Sequence, residues 1–167
     1  MKSNSPGLNC PVCNMDVSTE KYSMMYQGNH YVFCSNQCFE RFRDNPHLYI
    51  GYPGVKSPKQ KGEEVLKQRT LKLSKPLSPD TAELVINHIR AMMGINDITI
   101  EGNVIKITYD LLQATEEQIE KEIAKSGGVL GQTWADRISR AFVQYMEETE
   151  VLTLETTPGS RRGHSHH

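Results

Sequence analysis

Apolar residues along the second half of the chain change period several times, and each change marks an element. "TLKLS" (residues 70–74) alternates apolar and polar positions, the signature of a half-buried strand. "SPDTAELVINHIRAMMG" switches to helical spacing. Ser78 stands where an N-cap belongs, Pro79 at the first helical position, and Gly94 where the helix stops. "INDITIEGNVIKITYD" returns to alternation in two runs joined at Glu101-Gly102-Asn103, which predicts a hairpin. "TEEQIEKEIAKSGG" is helical again, opening with a capping box of Thr115 and Gln118 and ending at paired glycines. A last amphipathic helix is predicted within 132–151, with Trp134, Ile138, Ala141 or Phe142, and Tyr145 on one face.

The order strand, helix, strand, strand, helix, completed by a short strand in "GVLGQ", is the split β-α-β arrangement of a ferredoxin-like βαββαβ domain over 69–131. The first third of the chain reads differently. "YSMMYQGNHYVF" holds two strand-like runs broken at Gln27-Gly28, where a hairpin turn fits. "CSNQCFERFRDNPHLY" then predicts a helix capped by Ser35 or Asn36, with Phe39 and Phe42 as its apolar stripe and Asn45-Pro46 closing it. The fold class is thus α+β: a small module over 10–51, the ferredoxin-like domain, and an extra C-terminal helix. Residues 1–9 read as a flexible leader, 52–68 as a linker rich in Pro, Gly and Lys, and 152–167 as a disordered tail.

Composition narrows the function. With 37% hydrophobic and 23% charged residues the chain is of soluble globular type. No stretch has the apolar length of a signal peptide or a membrane helix, so a cytoplasmic location without membrane insertion is expected. The net charge of −1 gives no support to nucleic-acid binding, which draws affinity from Lys and Arg against phosphates. "VKSPKQKG" reads as solvated linker. No nucleophile triad, phosphate loop or carboxylate pair stands out, so an enzyme is not expected.

The four cysteines carry the chemistry. Cys10 and Cys13 form a C-x-x-C knuckle, and Cys34 and Cys38 lie four apart at the predicted helix start, where residues four apart share one face. Tetrahedral thiolate coordination needs two ligand pairs from separate elements, and a knuckle plus a helix start joined by a hairpin supplies them. In a reducing compartment such clustering points to metal or redox chemistry. A helix N-terminus also favours thiolate over thiol. A module of about 40 residues with few aliphatic side chains needs such a staple to fold.

"CPVCNMDV" followed by "YQGNHYVFCSNQCFERFRDNPHLYIG" resembles a YHS domain, one of the TRASH-like treble-clef metal-binding modules. Members of that group occur beside copper and other heavy-metal transport proteins and in bacterial metal-handling proteins and sensors. The resemblance implies a treble-clef-like module that binds a soft or borderline metal through Cys10, Cys13, Cys34 and Cys38. Many YHS domains carry one cysteine in the first cluster, so the full set here implies a closed, zinc-like site, with Cu(I) as the other candidate. The stretch from "TLKLS" to "IAKSGG" is similar to the heavy-metal-associated fold of copper chaperones and transporter N-termini. It departs where that family's metal loop carries two cysteines, because here the loop is "SKPLSPDTA". Metal binding is therefore not transferred to the second domain, which reads as a scaffold or docking surface.

Other signals are weaker. Met15, Met24 and Met25 offer thioethers suited to Cu(I), or simple packing. His30 and His47 are auxiliary ligands or, more ordinarily, exposed or hydrogen-bonded side chains, and His88 is expected to face solvent. "GHSHH" is either a loose divalent-metal tract or part of a tag. The expected function is a metal-handling, trafficking or resistance protein. Its partners would be the ion and a metal-transporter domain, or a second copy met through the ferredoxin-like domain. The alternatives are an adaptor or regulator with a structural zinc knuckle and, more remotely, a thiol oxidoreductase.

Overall fold

The structure is a computed structural model and describes residues 8–156. The leader to residue 7 and the tail from 157, with its "GHSHH", lie outside the described residues. The chain divides into two units, one formed by the chain to Glu63 together with the segment from Thr153, the other by Glu64–Leu152.

In the first unit, strands β1 (Tyr22–Tyr26) and β2 (Asn29–Phe33) form an antiparallel hairpin. Its turn places both Gln27 (φ 51°) and Gly28 (φ 82°) in the left-handed region, the two-residue geometry that matches strand twist. Helix α1 (Asn36–Asp44) follows, with the Ser35 hydroxyl accepting from the Cys38 amide, and a 3-10 turn, Pro46–Leu48, closes it. The core is aromatic. Phe42 packs against Tyr31, Phe33, Tyr26 and Tyr49, with ring centroids 4.8 to 6.1 Å apart. Val12, Val32 and Leu48 complete it.

The segment expected to be a linker is folded in its first part. Tyr52 and Val55 exchange backbone hydrogen bonds, the Lys59 amide donates to the Leu48 carbonyl, and Ser57 and Gln60 bond each other reciprocally. The segment's Pro, Gly and Lys content signals a linker, yet its backbone is satisfied locally and Lys61 pairs with Glu63.

The second unit holds β3 (Leu66–Lys72), α2 (Pro79–Arg90), β4 (Ile95–Glu101), β5 (Val104–Asp110), α3 (Glu116–Ser126) and most of α4 (Trp134–Thr156). Its sheet is antiparallel in the order β3-β5-β4, with Leu66 opposite Asp110 and Ile98 opposite Ile107. Helix α2 packs on β4 and on α3, enclosing Val85, Ile89, Ile98, Ile105, Ile107, Ile119 and Ile123. Caps act as the residues dictate: Ser78 accepts from the Thr81 amide, and Thr115 and Gln118 form the reciprocal capping box.

Three expectations need correction. Strand β3 begins at Leu66, inside the stretch taken as linker, because the inward positions Lys67 and Arg69 are charged residues paired with Glu150 and Glu147 and the exposed Leu66 is apolar, which hides the alternation. The expected last strand in "GVLGQ" is a single antiparallel bridge between Leu73 and Leu130, held by Ser74 to Val129 and Gly131 to Lys72 hydrogen bonds. Residues 152–156, expected to be disordered, continue α4, whose Leu154 and Glu155 are buried. No helix among the described residues is long and apolar enough to cross a membrane.

Candidate metal centre

The knuckle is built by the backbone before any ion is considered. The Asn14 amide donates to the Cys10 carbonyl at 2.7 Å and the Cys10 amide to the Met15 carbonyl at 2.9 Å, with Asn14 at φ 67°. That tight loop turns the Cys10 and Cys13 side chains to one side. The second pair comes from the start of α1. Cys34 lies just before the Ser35 cap rather than inside the helix, and Cys38 occupies the third helical position.

All four sulfurs lie within 4.8 Å of one another. Cys13 Sγ is 3.3 Å from Cys34 Sγ, which is 3.6 Å from Cys38 Sγ. A disulfide needs about 2.05 Å, and the four thiols are free. A metal bound by four thiolates at about 2.3 Å places neighbouring sulfurs about 3.8 Å apart, within a few tenths of an ångström of the 3.3 and 3.6 Å separations and inside the 4.8 Å span of the group. Among the described residues the donor set is all sulfur, and no histidine or carboxylate belongs to the group. Cys10 and Cys38 are fully buried, whereas Cys13 and Cys34 are half-buried.

The four thiols do not ionise independently. Hydrogen bonds from the Cys13 and Cys38 thiols hold the Cys10 thiol far below its usual value, and the same bonds push Cys13 and Cys38 up. Four thiolates together therefore require a cation among them. Three residues beyond Cys38 and on the same helix face, Arg41 is buried, and its Nε and Nη2 have no hydrogen-bond partner among the described residues. A divalent ion with four thiolates carries a net charge of about −2, and a buried guanidinium on this helix is suited to offset it.

The weaker candidates lie elsewhere. His47 is held by Tyr26 Oη (3.0 Å) and the Ile50 carbonyl (3.2 Å) and stacks on Tyr52. His30 is exposed, 3.8 Å from Glu20. Met15 and Met25 are exposed and Met24 half-buried. His88 is exposed and pairs with Glu122 at 2.7 Å. Loop residues Leu77 to Thr81 in the second unit form the start of α2, with Ser78 engaged as its cap.

Sequence reasoning missed two features. Glu155 accepts from the His47 amide (2.8 Å) and Asn45 Nδ2 (3.1 Å), closing the turn after α1. The cleft of about 610 Å³ bordering the knuckle is lined by Pro11, Asn14, Tyr49, Lys56 and Lys59 among others. Neither leaves a local signal, since both join residues far apart in sequence.

The site is that of a small cysteine-rich metal-binding module. Residues 9–52, about a quarter of the chain, match the family model of the YHS domain. No curated protein and no solved structure matches the chain.

Proposed function

We propose that this protein handles a heavy-metal ion held by Cys10, Cys13, Cys34 and Cys38, with zinc as the ion the donor set suits best and Cu(I) as the other thiophilic candidate. The observation that carries the reading is the convergence of four free thiols within 4.8 Å on a module that matches the YHS domain. Exchange rather than permanent storage is supported by the Cys13–Cys34 edge, which solvent reaches while Cys10 and Cys38 anchor the site from below. An incoming thiolate ligand meets that edge first. The module is read as treble-clef-like and the second unit as ferredoxin-like with its fourth strand reduced to one bridge, since its β3-β5-β4 order has the third strand central. In this reading the second unit docks a partner such as a metal-transporter domain in the cytoplasm, and neither unit is an enzyme.

Elemental analysis of protein purified without a metal-affinity column tests the proposal. Wild type is expected to carry one ion per chain and Cys34→Ser markedly less. Equal metal in the two sinks it. The reading of a purely structural zinc in an adaptor is favoured by the complete burial of Cys10 and Cys38. Loss to a chelator only as slowly as the module unfolds would establish that reading, whereas transfer to a competing thiol ligand that outpaces unfolding supports handling. Turnover in an insulin-reduction assay would instead revive a thiol oxidoreductase.

A further inference from the structure

Helix α4 faces the rest of its unit with its polar side. Arg140 bonds Glu120 (3.3 Å) and the Gly131 carbonyl (2.8 Å), and Gln144 bonds Glu116 and Glu120. Glu147 meets Arg69, the Tyr109 hydroxyl and the Glu116 amide. The apolar side points outward. Trp134 is 79% exposed, Phe142 61% and Tyr145 63%, and Ile138, Met146 and Leu152 are also exposed. Trp134 and Leu152 are eighteen residues, five helical turns, apart, so the stripe runs about 27 Å along one face.

We infer that this stripe is the self-association surface of the protein, where α4 of a second copy packs antiparallel. Two observations choose the occupant. First, the exposed part of these six side chains is on the order of 800 Å² per copy, the share one partner gives to a standard interface and more than a typical monomer exposes in one patch. Second, the charges beside the stripe match an antiparallel copy. Arg137 and Glu148 are both exposed, lack an ion-pair partner among the described residues, and lie three helical turns apart on the same edge. In antiparallel helices, edge faces like edge. A dyad between Phe142 and Val143 sets Arg137 against Glu148 of the second copy, twice, and Trp134 near Leu152 of the second copy. A parallel copy would face this edge with the opposite one, which carries Ala135, Ser139 and Met146.

This deepens the proposed function by replacing self-association through the sheet domain with pairing through α4. Its test does not depend on metal. Sedimentation of the full chain, with Trp134 fluorescence as the probe, is expected to give a concentration-dependent dimer and a blue shift, since Trp134 is the sole tryptophan. Phe142→Glu places two like charges at the dyad and should yield a folded monomer. Arg137→Glu and Glu148→Arg should each weaken the dimer roughly tenfold, and the double reversal should restore it. A wild type that stays monomeric overturns the inference, whether its tryptophan is solvated or shielded by added vesicles of zwitterionic and anionic phospholipid. So does a dimer indifferent to Phe142→Glu, or one that the double reversal fails to restore. None of these outcomes bears on whether the cysteines hold metal.

Discussion

Glu116 sits fully buried beneath α4, with one carboxylate oxygen accepting from Gln144 and the other lacking a partner among the described residues. Burial, then a hydrogen bond shared with Glu120, pushes its pKa up to about 9. Glu147, which accepts from the Glu116 amide, adds a further like charge nearby. The folded state thus keeps a proton that the unfolded chain releases near 4.5, so stability falls as pH rises between those values. Glu116→Gln should flatten that dependence and stabilise the second unit by on the order of 1–3 kcal/mol at about pH 8. Urea melts at about pH 5.5 and about pH 8 check this, and equal pH slopes for the two proteins would contradict it. The cysteines were readable from sequence because ligand spacing within each pair is local. Glu116 was not. Its acidic neighbours stand at Glu120, one turn on, and at Glu147, and only the packing of α4 makes the site dry.

Helix ends were the most legible elements, because a cap is written within four residues. Thr115 and Gln118 satisfy each other's backbone amides, and Gly127 leaves α3 in the left-handed conformation (φ 112°). Thr115→Ala should cost about 1 kcal/mol and lower the melting temperature of the second unit by roughly 4–8 °C, while Thr115→Ser should cost far less. A calorimetric scan with no shift for the alanine variant would refute it. Ser35→Ala should cost a similar amount in the first unit, because it frees the amide of Cys38 itself. Elements set by distant contacts were harder to read. "LTLET" reads as the start of a disordered tail, yet burial of Leu154 and the bonds of Glu155 carry α4 to Thr156. Amphipathicity revealed α4 but not which face it buries, because charged residues paired against α3 and β5 took the inward side.

Across the whole molecule, the two units rest on different physics. The second encloses an aliphatic core from three strands and two helices, whereas the first relies on one aromatic cluster and four thiols. Chelating the metal should therefore abolish amide exchange protection at Val32, Phe33 and Phe42 while leaving Ile105, Ile107 and Ile119 protected. Hydrogen exchange of the full chain with and without chelator measures it. Simultaneous loss in both units would show that the ion stabilises the whole chain. The bonds from Glu155 to Asn45 and His47 have a further consequence, in the order of synthesis. Residues 64–155 must be translated between the end of the module's first segment and the arrival of Glu155, roughly 5–20 seconds at ribosomal speed. The cysteines leave the ribosome well before Glu155, so the contacts that close their unit form only after the whole second unit has been made. Throughout that interval an ion or an oxidant meets an unfinished module.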